Sequence, residues 1–316
     1  MTMQLLPGTG EGRQQPNSLT AHLKCKDSPI RQFMESTFGA TRKVTAPSSK
    51  VVRQFETRDP GHTAYSTIGT AIDRRIRLYF PGAAAEEADE RRVTVQGAYL
   101  LWEMQGWEFG SLSGFFEALE QFGSRIAPGA RLVDTDEDTL CRFAVNLAWF
   151  DQSFRVGPKV LENSPLMQCD RPSVDNLLEV VPIAWVEDLR VLSRMFLDAA
   201  GDRLHQPCRI GPTFEGSRDV GGADADVILG TSLIDVKTTV DPKVARDGLW
   251  QILGYALLDY SDVYGLNAAG FYFARQGRFV EWPLAELARD CSGDAVESWP
   301  AARNEFRRMA RGLQSL

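Results

Sequence analysis

Nowhere in the 316 residues is there an apolar run approaching the roughly 20 residues of a membrane-spanning helix, so no membrane association is expected. Residues 1–18, MTMQLLPGTGEGRQQPNS, lack the basic start and apolar centre of a secretory signal and read as a disordered tail. Cysteine is scarce and scattered. Cys25, Cys141, Cys169, Cys208 and Cys291 form an odd set without a C-x-x-C pair, which argues against a disulfide framework, a zinc site or an iron–sulfur cluster. Reduced thiols in a cytoplasm fit that pattern. His22, His62 and His205 lie in separate irregular contexts and make no metal-ligand spacing. There is no G-x-x-x-x-G-K-[ST] loop, which excludes a built-in ATPase or helicase motor of that type. A surplus of positive charge is missing too. The net charge of −7 excludes a protein that coats nucleic acid non-specifically, but not an enzyme whose acidic centre acts on it.

What is present suits a globular chain: 43% hydrophobic and 24% charged residues suffice for a large core. Basic residues are grouped at Arg42, Lys43, Lys50, Arg53 and Arg58, at Arg74, Arg75 and Arg77, and at Arg303, Arg307, Arg308 and Arg311. Each group reads either as a solvated face or as a phosphate-contacting rim around an acidic centre. Residues 19–60 are polar and Pro-punctuated, without a clear period. Residues 66–80 repeat Ile68, Ile72, Ile76 and Tyr79 at helical spacing. Residues 81–93 read as an acidic, Ala-rich surface run. Helices are expected at about 111–124, 136–152 and 183–199, the last stopped by Gly201.

Beyond residue 205 the period changes. A hairpin is followed by a helix over about 242–260 with Pro242 in its first turn, then two short strands, AAGFYFARQ and GRFVEWPL, and closing helices. The sum is an α/β or α+β chain: one domain over 19–316, with a core at 205–283, a small mixed sheet flanked by helices and a large helical region over about 95–200.

The hairpin carries the chemistry. In GGADADVILGTSLIDVKTT, residues 221–239, Gly230–Thr231 has the Gly-first form of a type II′ turn. Such a turn pairs Leu229 with Ser232, Ile228 with Leu233 and Val227 with Ile234; extended further, it pairs Asp226 with Asp235 and Asp224 with Lys237. Side chains alternate along a strand, so Asp224, Asp226, Asp235 and Lys237 share one face. Three carboxylates and an ammonium make a poor core and a good cation site, with either Asp224 or Asp226 as the partner of Asp235. The next helix brings Gln251 and Tyr255, at i and i+4, to one of its faces.

Asp226, eight residues, then Asp235-Val236-Lys237 resembles the core of the PD-(D/E)xK nuclease superfamily. Gln251 and Tyr255 in WQILGYALLDY resemble the Gln-x-x-x-Tyr element of its RecB-like exonuclease branch. GTAIDRRIR, residues 69–77, is similar to that branch's first helix, with Asp73 where a histidine commonly stands and a salt bridge to Arg77 as its other reading. The resemblance covers about a third of the chain. It implies a restriction-endonuclease-like core and a metal-dependent hydrolase of DNA phosphodiesters, acting on single strands or ends. It further implies Mg²⁺ or Mn²⁺ held by Asp226, Asp235 and the carbonyl of Val236, with Glu187 in VPIAWVEDLRVLSRMF as an extra acidic ligand. Lys237 then sits beside the attacking water, and Gln251 and Tyr255 hold the lysine or a substrate phosphate.

The residue chemistry agrees. Phosphodiester cleavage needs charge neutralised on a pentavalent phosphorus and hydroxide formed near neutral pH. A hard divalent cation in oxygen ligands meets both needs. The region 95–200, which these motifs leave unused, is the candidate for specificity or a protein partner. DNA repair, mobile-element biology and antiphage defence all suit such a nuclease. A catalytically silent nuclease fold that binds nucleic acid or scaffolds a complex is the alternative.

Overall fold

The computed structural model describes residues 16–40, 63–80 and 87–313. Most of the expected tail at 1–18, and the basic group from Arg42 to Arg58, lie outside the described residues. The remainder is mostly helical, with a five-stranded mixed sheet in the C-terminal part, an α+β arrangement.

Two short helices, α1 (Leu19–Lys24) and α2 (Pro29–Phe38), occupy the start of a stretch expected to be irregular. Local signals explain both. Ser18 Oγ accepts from Ala21 N at 3.2 Å, and Pro29, with its missing N–H, opens α2. Then come α3 (Thr63–Arg77), α4 (Glu87–Gln105), α5 (Phe109–Gly123), α6 (Asp134–Val156), the short α7 (Val174–Glu179) and α8 (Ile183–Ala200). Helix α4 begins at Glu87, inside the stretch read as an acidic, Ala-rich surface run. Its buried Ala98, Leu101 and Trp102 give one face a stripe against α6. Asp134, Asp136 and Glu137 complement the N-terminal dipole of α6, and Gly157 at φ 101° ends it.

The sheet runs β1 (Cys208–Ile210), β2 (Val227–Leu229), β3 (Ser232–Lys237), β4 (Ala268–Phe273) and β5 (Arg278–Pro283) in spatial as well as chain order. Only β3 and β4 are parallel, joined through α9 (Arg246–Leu258); α10 (Leu284–Ser292) and α11 (Trp299–Gly312) close the chain. The turn holds as expected. Gly230 has φ 62° and Thr231 is not in the positive-φ region, and Leu229, Ile228 and Val227 face Ser232, Leu233 and Ile234.

The ladder stops there. Asp226 and Asp224 do not pair through the main chain with Asp235 and Lys237: the Val236 N–H goes to the side chain of Asp226 instead, and beyond Val227 the backbone stays joined to the β1 side. Gly211 N donates to Asp226 O at 3.0 Å, and Asp224 bridges to Thr213. Helix α9 also starts later than expected. It begins at Arg246 and leaves Pro242 before it, while Gln276 Nε2 donates to the carbonyls of Thr239 (3.4 Å) and Val240 (3.1 Å) upstream.

Alternation splits the core across the sheet. Val227, Leu229, Ile234 and Tyr272 pack with the helical region α3–α8, while Ile228, Leu233, Phe271 and Phe273 pack with α1, α2, α9, α10 and α11. Asp235 and Lys237 therefore belong to the α9 side. The two sides are tied by a fully buried ion pair, Arg275 to Asp188 of α8 at 2.8 Å. Among the described residues, no helix is long and apolar enough to cross a membrane.

Candidate active site

Asp235 stands on β3 with only 4% of its surface exposed, because it points from the middle of the sheet into the space beside α9. A carboxylate in that position needs a counter-charge. Lys237, two residues on and on the same face, supplies one at 2.6 Å. Lys237 Nζ also donates to Gln251 Oε1 at 3.4 Å, and Gln251 Nε2 donates to Tyr255 Oη at 3.0 Å, along one face of α9. Tyr255 is in turn stacked on Phe214, ring centroids 6.0 Å apart. A continuous polar chain thus runs from Asp235 through Lys237 and Gln251 to Tyr255.

Asp226, the residue before β2, joins it. Its Oδ2 accepts from Val236 N at 2.6 Å, so the side chain of Asp226 replaces the main-chain partner that the short β2 no longer offers to β3. That bond holds the carboxylate beside the Asp235-Val236-Lys237 run. Burial, then the negative charges of Asp73 and Asp235, push the Asp226 carboxyl well above the usual carboxylate range, against the pull of Arg77 and the Val236 N–H. Asp235 is likewise raised by burial, with Lys237 opposing. Burial alone would lower the Lys237 ammonium, but Asp235 and Asp226 outweigh it and raise it, so the amine stays charged.

Asp226, Gln251 and Tyr255 line a cleft of about 520 Å³ together with Asp73, Arg74 and Arg77 of α3. Asp151 and Arg155 of α6 and Asp224 complete its far wall, and Ser18, Leu19 and Thr20 of α1 form a rim. A smaller cavity of about 240 Å³, floored by Phe271 and Phe273, opens on Lys237 and shares Gln251 and Thr20 with the cleft. The chain segment at Asn17–Leu19 closes on Gly221 and Gly222, where Leu19 N donates to Gly222 O at 2.9 Å.

Of the residues singled out from sequence, Asp226, Asp235, Val236, Lys237, Gln251 and Tyr255 come together here. Asp73 joins them, in a salt bridge to Arg77 at 2.8 Å that also faces the cleft, so its two expected roles are not exclusive. Asp224 lines the same cleft but pairs with Arg155 at 3.6 Å, whereas Asp226 reaches β3. Glu187 is not brought in. Helix α8 packs on the same sheet face as α3 and α6, with Phe196 5.2 Å from Tyr272, but Glu187 does not line the cleft.

The C-terminal arginines are not a rim of this site either: Arg303 pairs with Asp262, and Arg307 and Arg311 with Glu215. Arg75 is fully buried against Glu137. Sequence reasoning missed Asp151, Arg155 and the α1 rim, which reach the cleft only because α6 and α1 fold against it. The sole local hint was the i, i+4 spacing of Asp151 and Arg155.

Among the described residues, no group of three or more histidine, cysteine or carboxylate side chains is set to hold a metal ion by itself. The donors that do meet are two carboxylates, Asp226, held by the Val236 N–H, and Asp235, whose charge acts on it. Their mutual repulsion is the electrostatic complement of a hard cation, and an all-oxygen set suits Mg²⁺ rather than zinc. Comparisons with protein-family models, with curated proteins and with solved structures found no match.

Proposed function

We propose that this chain is a Mg²⁺-dependent phosphodiesterase acting on DNA, a nuclease of the PD-(D/E)xK, RecB-like kind built on a restriction-endonuclease-like core. The observation that supports it is the line of contacts joining Asp226, Val236, Asp235, Lys237, Gln251 and Tyr255 beside an open cleft. In this reading Asp226, Asp235 and the Val236 carbonyl hold the cation. Bound there, Mg²⁺ supplies charge neutralisation and makes water acidic enough to act as a nucleophile near neutral pH.

The protein's own groups do the remaining work. Lys237 orients the attacking water and meets negative charge as it develops on the phosphate. Gln251, fixed by Tyr255, holds the lysine head in place. Tyr255, whose phenol burial raises far above its ordinary value, stays protonated and serves as a donor rather than a base. The helical region 95–200 offers a surface for a protein partner, with Tyr99 and Phe109 exposed and 5.2 Å apart.

The test is cleavage of end-labelled DNA with Mg²⁺ or Mn²⁺ by the wild type, Asp235→Ala and Lys237→Ala. Loss of about 10²–10³-fold in rate is expected for Lys237→Ala, and at least as much for Asp235→Ala. Equal activity in all three proteins would remove the mechanism, and cation-dependent binding without cleavage by the wild type would make the chain a silent nuclease fold. Cation binding has its own readout. Mg²⁺ at 100 times its Kd stabilises the protein by about 2.7 kcal/mol, which raises the Tm of the wild type and leaves that of Asp226→Asn nearly unmoved.

A further inference from the structure

The cleft holds more charge than the hydrolysis uses, and it is arranged unequally. Arg74 is built into the wall: Nε donates to Asp151 Oδ2 at 2.6 Å, and Thr94 Oγ1 holds the other carboxylate oxygen at 2.6 Å. The other two arginines pair with carboxylates that flank Asp226 itself. Arg77 holds Asp73 through Nε at 2.9 Å and Nη2 at 2.8 Å. Arg155, 54% exposed, stands 3.6 Å from Asp224, 41% exposed, too far and too open for a strong bond. Among the described residues, each arginine that lines the cleft is thus matched by a carboxylate.

We propose that Arg77 and Arg155 are the phosphate-binding residues of this cleft and that they are released to it by exchange. When a divalent cation enters beside Asp226, the carboxylates of Asp73 and Asp224 turn toward it, and their arginines pair instead with backbone phosphates of a nucleic-acid strand. This rests on the cation site proposed above. Two features favour it. The charge of Asp73 already acts on Asp226, so a cation neutralising one attracts both. A guanidinium fork matches a phosphate as well as it matches a carboxylate, so Arg77 gives up two contacts to one oxygen of Asp73, and Arg155 one long contact to Asp224, for a phosphate that can take both donors. Cation and strand then bind cooperatively, and each tightens the other by the same factor.

The experiment measures binding, not turnover. A fluorescein-labelled single-stranded oligodeoxynucleotide is titrated with the full chain at constant ionic strength, with and without Ca²⁺, which takes oxygen ligands as Mg²⁺ does. The wild type is expected to bind about tenfold more tightly with Ca²⁺, within the usual range of such couplings. Asp73→Asn/Asp224→Asn, which keeps side-chain volume, is expected to bind without Ca²⁺ about as tightly as the wild type does with it, and to respond less than twofold. Arg77→Gln/Arg155→Gln is expected to bind weakly in both conditions, and its thermal melt shows that it is folded. Ca²⁺ that leaves wild-type affinity unchanged or weakens it overturns the exchange, as does a double Asn variant that behaves like the wild type. Cleavage activity without this coupling would sink the exchange alone; coupling without any cleavage would sink the hydrolytic reading and leave the exchange standing.

Discussion

Helices α4 and α6 meet so closely at Gly97 that a single methyl group there should be costly. A Cβ on Gly97 would stand 1.9 Å from Phe150 O, 2.8 Å from Phe150 C and 3.0 Å from Phe154 N, all backbone atoms of α6 that no rotamer can move. The two helices must therefore part by about 1 Å, which loosens the seam where Trp102 packs edge-on to Phe150 at 5.5 Å. Overpacking of this kind costs about 1–3 kcal/mol, while exchanging glycine for alanine inside a helix returns about 0.5–1 kcal/mol. A net loss of about 1–2 kcal/mol is expected for Gly97→Ala. Among the described residues, nothing lies within 4 Å of a would-be Cβ on Gly69, in α3 on the cleft wall, so Gly69→Ala gains the propensity term without a clash with them. Thermal melts followed by circular dichroism should show the Tm a few degrees lower for Gly97→Ala and slightly higher for Gly69→Ala. Shifts of the same sign, or a Gly97→Ala protein as stable as the wild type, would refute the close approach.

Arg275→Ala strands Asp188 as a buried charge with side-chain exposure of 0%, and breaking such a pair costs about 3–5 kcal/mol, read as a lower midpoint in urea; a loss under 1 kcal/mol would mean that water reaches Asp188. His22 is buried with Nδ1 2.8 Å from Ser28 Oγ, and burial lowers its pKa below the ordinary 6.5. The unfolded chain then binds the proton first, so stability is full above about pH 6.5 and falls as pH drops below it. His22→Gln should flatten that slope between pH 5 and 7, and an unchanged slope would assign it to other groups.

The hairpin was legible because its information is local. Gly230–Thr231 sets the turn, the turn sets the register of Val227 to Leu229, and period-two alternation puts Asp235 and Lys237 on one face. Gln251 and Tyr255 were legible for the same reason at helical period. The two extra ladder pairs were not, since the side chain of Asp226 takes the Val236 N–H that a continued ladder would use, and residue spacing does not reveal such a substitution. Only the start of α4 escaped notice, because residues 87–94 are charged and polar, while its apolar stripe of Ala98, Leu101 and Trp102 lies in the stretch expected to be helical.

By itself the sequence determined the residue types, their turn and their helical or strand spacing, which is enough to align donors along one hairpin and one helix. Only the tertiary structure decided which distant side chains share their space. It brought Asp73, Asp151 and Arg155 to the cleft from α3 and α6, left Glu187 of α8 off the cleft lining, and bound the C-terminal arginines to Glu215 and Asp262. The physical reason is range. Turn geometry and periodicity act over a few residues, whereas the meeting of charges across a cleft is set by how whole helices pack against two faces of a sheet.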